Sequence, residues 1–463
     1  MIIPKALPGF KRFLARAVSS SAAFIMYLRL AAAFIRHEGR MSASEAAVAI
    51  RSQTRHRAAI IRFLADDNLS QNWVVLTEVA NLILQLETRR RGTWIFILDQ
   101  TYCGQQGTLT QNTFSRGNYR QRPQKGNRKN KQRARHSCHC FVMGLLITPS
   151  GFRIPYCRCY FTKDYCADKT KGKKYQTQTT LAAELIRDLA VPKNAKVVVL
   201  GDTSFDAKDI RVVCSSRGFP WIVPINPERV LAGEKPRPKV KSLVGGFSSD
   251  QFVSVRLLPA EEPLAAQRRA ARCRLGSKMK GRTYYVHEER RAVHSVGETL
   301  LVFSTKEKPE LGKPIRVQKV LMTDDVSLCA TQVVQWYDWR WQIELFFKEL
   351  KSTLGFAQYR FQEFVKVEGW AQACLVTFAY LEWYRGTQLR RRDLTKQAKG
   401  WWQWQRSHGL CQALRQEMED NDLKQMLDWS QTPTGLKKLK KCLRQSRPPE
   451  YRKPLKTQPK HAA

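Results

Sequence analysis

Two continuous apolar runs constrain this chain most. Thr93–Leu98 (TWIFIL) and Lys196–Leu200 (KVVVL) are rich in β-formers and lack the polar alternation of a strand with one wet face. Strands of this kind need cover on both sides, so helices are expected above and below a sheet. Between the two runs, Cys138–Thr148 and Phe152–Phe161 flank a Pro149-Ser150-Gly151 turn and read as a hairpin. Helical spacing follows over Thr179–Leu189 and Ala207–Ser216, and Trp221–Ile225 reads as another strand. The order strand, hairpin, helix, strand, helix, strand predicts an α/β domain: one mixed sheet flanked by helices.

On either side the pattern changes. Apolar positions recur at helical spacing through Phe10–Ile35 and Ala43–Leu64, with Ser42 and Ser44 as caps for the second stretch. A helical N-terminal domain over 1–92 follows, which either grips DNA or serves packing and dimerisation. Short alternating runs at Phe252–Leu257, Thr283–Val286 and Thr299–Phe303 predict a β-rich insertion over 228–316. A strand near Val317–Met322 and a long helix over Ser327–Leu354 return to the sheet domain. The chain divides on this reading into 1–92, a sheet domain in two parts (93–227 and 317–390), the insertion, and a basic region 391–463 that ends in a disordered Pro-rich tail.

Composition restricts the partners. Lys and Arg number 80 against 39 Asp and Glu, a net charge of +41. Such an excess repels itself unless a polyanion neutralises it, which points to nucleic acid first and to an anionic membrane surface second. The basic stretch from Thr108 to Arg135 has the composition of a phosphate-contacting loop or of a solvated surface. The longest apolar stretch near the start, Ala22–Ile35, is short of a membrane span and carries Arg29. No convincing cleavage site follows it, so a soluble cytosolic protein is expected. The twelve cysteines are scattered, as in a reducing compartment. His136, Cys138, His139 and Cys140, with Cys157, Cys159 and Cys166, lack the two-residue spacers of a zinc site. Alternation would set them on facing positions of the hairpin, where packed thiols are expected rather than metal. Trp370, Trp383, Tyr384 and the cluster Trp401, Trp402 and Trp404 suit helix packing better than base stacking.

The chemistry is carried by acids. Asp99 and Asp202 end the two apolar runs, where an open sheet presents functional groups. A third comes from the long helix: at about 100° per residue, Tyr337, Arg340, Glu344, Lys348 and Lys351 gather in one stripe. Trp336, Trp339, Ile343, Phe346, Leu350 and Leu354 lie broadly opposite. Singly, each acid is as readily a cap or a surface ion-pair partner. Together they suit hard divalent cations, which take oxygen ligands and share their site with phosphate. Two such ions can activate a water or a 3′-hydroxyl and stabilise the leaving oxygen.

Within YDWRWQIELFFKELKSTLG, the residues Tyr337, Arg340, Glu344 and Lys351 have two, three and six residues between them. This matches the signature of a group of DDE-class insertion-sequence transposases, which the chain resembles from about Thr93 to Arg360. ILDQT resembles the first acid segment of that family and VVVLGDTSFD the second, although Thr203-Ser204-Phe205 departs from the usual Arg or Thr followed by Gly. The resemblance implies a ribonuclease H-like catalytic domain interrupted by the β-rich insertion. It implies metal ligation by Asp99, Asp202 and Glu344, with Mg²⁺ as cofactor and Mn²⁺ as a substitute. Tyr337, Arg340 and Lys351 would contact phosphate near the cleavage site; Lys348 is added from helix geometry. The substrate would be double-stranded DNA, both the element's terminal inverted repeats and the target, cut and joined by a homodimer at the bacterial nucleoid. Relatives can offer a tryptophan of the insertion to an unpaired base; none occurs between Glu228 and Glu307, so Phe247, Phe252, Tyr284 or Tyr285 would have to substitute. The rival readings are a nuclease of the same fold without strand transfer, and an inactive transposase-derived DNA-binding protein. An RNA-binding protein gains nothing from three acids.

Overall fold

In the computed structural model the described residues are 7–37, 41–49, 55–66, 73–88, 92–105, 109–117, 135–233, 236–257, 282–389 and 407–446. Most of the basic stretch after Thr108, residues 258–281 of the insertion, Trp401, Trp402, Trp404 and the tail from Pro448 lie outside them. Contacts divide the chain into two compact units. One joins Met1–Leu82, Gly104–Gln111 and Lys348–Ala463; the other joins Ile83–Cys103 and Asn112–Phe347.

The second unit is built on a mixed sheet. Its described strands are β1 (Thr93–Gly104), β2 (Phe114–Gly117), β3 (Arg135–Ile147), β4 (Arg153–Cys159), β5 (Lys196–Leu200), β6 (Trp221–Ile225), β7 (Val253–Leu257), β8 (Arg282–Val293), β9 (Gly297–Thr305) and β10 (Lys319–Thr323). They run in the order β2-β3-β1-β5-β6-β10-β9-β8-β7, with β4 paired to β3. β5 lies parallel to both β1 and β6, whereas β10 is antiparallel to β6 and β9. Trp94–Leu98 are buried throughout, as a two-faced strand requires. Helices Gln178–Arg187, Lys208–Arg217 and Ala330–Asp338 belong to this unit. The α/β expectation of a mixed sheet flanked by helices agrees with this architecture. Strands β7, β8 and β9, from within the 228–316 segment, extend the same sheet through β9 and β10.

The centre is tightly fitted. A Cβ on Gly144 of β3 would meet ring atoms of Phe96 on β1 at 2.3 and 2.6 Å, and Phe96 is itself fully buried. Gly144→Ala should therefore lower unfolding stability by about 1–3 kcal/mol, read from a denaturant midpoint. A change within about 0.5 kcal/mol would mean that the ring has room to move.

The hairpin register corrects the cysteine reading. Phe141 pairs with Cys159 and Met143 with Cys157. Cys157 and Cys159 therefore share a face with the odd-numbered residues of β3, and Cys138 and Cys140 point to the other. All four are buried; the Cys138 thiol donates to the Phe114 carbonyl at 3.6 Å, and the Cys140 sulfur accepts from Gln178 Nε2 at 3.3 Å.

Another correction concerns the long helix. It is two helices, Ala330–Asp338 and Trp341–Ser352. Between them the backbone tightens: the amides of Trp339, Arg340, Gln342 and Ile343 each donate to the carbonyl three residues back. Such bonds wind more tightly than the 3.6-residue period. The single stripe drawn through Tyr337 and Glu344 does not survive the break: Tyr337 is buried, while Glu344 is partly open at 34%. The first helix starts under an acid, with Ala330 N–H donating to Glu288 Oε2 at 2.6 Å.

The first unit is helical. Ser21–Arg36 and Phe364–Leu389 share its core, where Phe34 meets Trp370 edge-on at 4.9 Å and Phe10 meets Tyr380 at 5.0 Å. Trp370, Trp383 and Tyr384 are all buried. Gly369 permits a close crossing, since a Cβ there would stand 2.5 Å from the Leu64 carbonyl oxygen. Ser42 caps its helix, Oγ accepting from Glu45 N–H at 3.2 Å. Arg415 donates to the carbonyls of Ile35 and His37 at the C-terminus of Ser21–Arg36, where a cation is favoured. No helix among the described residues is long and apolar enough to cross a membrane.

Candidate active site

The parallel pairing of β1 with β5 brings the first two acids to one place. Ile97 pairs with Leu200, an offset of 200 − 97 = 103, and Asp99 and Asp202 differ by the same 103. Both acids thus stand two residues past the last pair, on strands about 4.8 Å apart. β1 does not end at Asp99, as the sequence suggested, but continues to Gly104. β5, by contrast, stops at Leu200, two residues before Asp202.

The chain after β5 is held tightly. A Cβ on Gly201 would stand 2.8 Å from that of Phe205, so the turn that releases Asp202 needs glycine. Asp202 caps the short turn Thr203–Phe205, its Oδ1 accepting from Ser204 N–H at 2.8 Å and Ser204 Oγ–H at 2.5 Å. The departure Thr203-Ser204-Phe205 thereby acquires a role, since the Ser204 hydroxyl orients the acid. Asp206 anchors the far end, both of its oxygens in ion pairs at 2.5 Å, with Arg211 and Arg229. Sequence reading missed Asp206; its signal was the second acid of DTSFD.

Arg340 ties the first acid to the third. Its guanidinium donates to Asp99 Oδ2 at 3.4 Å and, through the other terminal nitrogen, to Glu344 Oε1. Asp99 also accepts from Gln100 N–H at 2.7 Å. Burial pushes the Asp99 carboxyl up to about 6, with the charges of Asp202 and Glu344 adding to it and Gln100 and Arg340 opposing. Burial likewise raises the Tyr337 hydroxyl, and its neighbours in charge are the same: Arg340, Asp202, Asp99 and Glu344.

Five of the seven expected site residues therefore meet in one unit: Asp99, Asp202, Tyr337, Arg340 and Glu344. Tyr337 is buried, with Lys319 Nζ 5.0 Å over its ring. Lys348 and Lys351 belong to the helical unit. Lys319 had no signal in the sequence beyond a lone cation before an apolar strand.

The acids offer oxygen donors only, the chemistry hard divalent ions take. Among the described residues no three acids, histidines or cysteines already converge as a ligand set. Instead Arg340 supplies the positive charge between Asp99 and Glu344. The donors fit a divalent ion in kind.

The family described as the transposase DDE domain matches residues 95–381, which is 381 − 95 + 1 = 287 of the 463 residues and contains all three acids. No curated protein matches the chain. Three acids on three elements of a mixed α/β unit, inside a match over more than half the chain, lead to one conclusion: the chain belongs to the DDE transposase family, enzymes that act on DNA with divalent metals.

Proposed function

We propose that this protein cuts DNA at the ends of its own element and joins the freed 3′ ends to target DNA, by cut-and-paste transposition. The observation that carries this reading is the shared environment of three acids from separate elements, with Asp99 raised by burial and by Asp202 and Glu344 together. Asp99, Asp202 and Glu344 hold the divalent ions, Mg²⁺ or in its place Mn²⁺. When bound, those ions lower the pKa of the attacking water or 3′-hydroxyl and neutralise the leaving oxygen. Ser204 fixes the Asp202 carboxylate, and the Asp206 clasp fixes the turn behind it. Arg340, freed from the acids, turns its two-pronged donor set to a phosphate of the scissile strand. Tyr337, Lys348 and Lys351 contact the same strand. The ribonuclease H-like organisation, the Tyr-Arg-Glu-Lys signature and a homodimer acting in trans on paired ends belong to this reading.

The test uses purified protein, a duplex carrying the element's terminal repeat, and a target plasmid, with Mg²⁺ and with EDTA. Metal-dependent nicks at the repeat boundary followed by joined products are expected. Nicks without joining would leave a nuclease, and binding without nicks a DNA-binding derivative.

A further inference from the structure

Beside the acids lies a cleft of about 300 Å³ lined by Tyr284, Ser304, Lys306, Gln318, Lys319 and Tyr337, among others. It is formed within the second unit by β7–β10 and the helix Ala330–Asp338. The three acids are not among its lining residues, yet Tyr337 belongs to both places. We infer that this cleft is a phosphate-binding subsite for a DNA strand, with Lys306 and Lys319 as its cations. The inference rests on the transposase reading and adds two positioning residues to it.

Charge is the first argument. The cleft's one acid, Asp338, is taken by Arg282 at 2.6 Å, so it does not neutralise the lysines. Among the described residues neither Lys306 nor Lys319 forms an ion pair. Lys319 instead stands over the Tyr337 ring at 5.0 Å, an arrangement that holds an ammonium in place without satisfying its charge. Lys319 is exposed, yet partial desolvation against its neighbours, with repulsion from Arg340 and Lys306, lowers its affinity for a proton. An anion that joined the two lysines would therefore be held by two neighbouring cations.

The second argument is position and donor type. Lys319 also feels Glu344 and Arg340, which places its ammonium within electrostatic reach of the proposed cleavage site. Gln318 and Tyr284 add neutral donors, the mixture that recognises phosphate oxygens along a backbone, while the Ser304 hydroxyl donates to the Lys319 carbonyl at 3.2 Å. A strand leaving the acids would run into this cleft, where a phosphate on Lys306 and Lys319 fixes its path.

The same donors would suit free phosphate, so the experiment separates the two sources. Binding of the intact protein to element-end duplex is measured in EDTA over a range of salt, for wild type, Lys319→Gln, Lys306→Gln and the double variant. Working without metal makes the result independent of whether cleavage occurs, so a failure here is distinct from failure of the transposase reading. Each single variant should reduce the slope of log affinity against log salt by about 1, and the double variant by about 2. Both side chains are exposed, so the variants should melt with the wild type. A variant that only perturbed packing would shift the melt and leave the slope alone. An unchanged slope in the double variant overturns the inference. If inorganic phosphate then bound wild type and not the double variant, the cleft would be a free-phosphate site, contrary to the proposal.

Discussion

Glu344→Ala should bind element-end DNA as wild type does and fail to cut it, with cleavage down at least about 1000-fold. The figure follows from the several kcal/mol that a metal ion contributes to the transition state, at about 1.4 kcal/mol for each factor of ten. Binding should survive because Glu344 repels phosphate, and its loss frees Arg340 for the backbone. The side chain is partly open and its hydrogen bond is to a neighbour four residues away, so folding should be little affected. Single-turnover cleavage on a sequencing gel, beside a gel-shift titration, reads both quantities. Cutting at a wild-type rate would remove Glu344 from the site.

The next largest effect is on stability, and it has the opposite sign. The Asp99 carboxyl sits near 6 in the folded chain against an ordinary 3.8. The native state therefore binds its proton more tightly than the unfolded state does, and stability falls as pH rises from about 4 through 6. Two pKa units correspond to about 3 kcal/mol, present as a penalty at neutral pH. Asp99→Asn removes the charge and keeps the shape. In EDTA at pH 7.5 it should raise unfolding free energy by about 2–3 kcal/mol, and it should flatten the pH dependence between 4 and 6. It should also abolish cleavage. Divalent ions should stabilise wild type and not this variant, because they favour the ionised carboxylate and bind the folded state alone. Denaturant midpoints across pH, with and without Mg²⁺, measure all of this; a variant less stable than wild type at pH 7.5 would contradict it.

Much of the sheet could be read in the chain because its central strands are buried on both faces. TWIFIL and KVVVL carry that in their composition, and the acids following them mark the edge where β5 stops. What local pattern could not carry was the behaviour of neighbours. β1 runs on to Gly104 past Asp99, and its neighbour on that side of the sheet is β3, which lies later in the sequence. The break at Trp339–Arg340 was invisible because apolar spacing passes through it, while the change lies in backbone bonds to the third residue back. The cysteines were set on facing positions by alternation within each strand, but the register between strands puts the pairs on opposite faces. The same holds for the first unit: helices near the start and near the end of the chain share Phe34 and Trp370, and no sequence period reports such a pairing.

In the site, residue types with an obligatory partner were the readable ones. Three acids surrounded by cations imply a metal or a polyanion. Ser204, Asp206 and Lys319 act through geometry and carried little signal. Arg340 was expected on phosphate, and its guanidinium lies against Asp99 and Glu344.

That last contact also indicates the most direct measurement. Crystals grown without metal and soaked in Mn²⁺ would locate the ion by its anomalous scattering. Density bound by Asp99 and Asp202, with Glu344 close and Arg340 turned away from both carboxylates, is the expected result. Density elsewhere, or none while Arg340 still bridges Asp99 and Glu344, would contradict a metal-dependent centre at these acids.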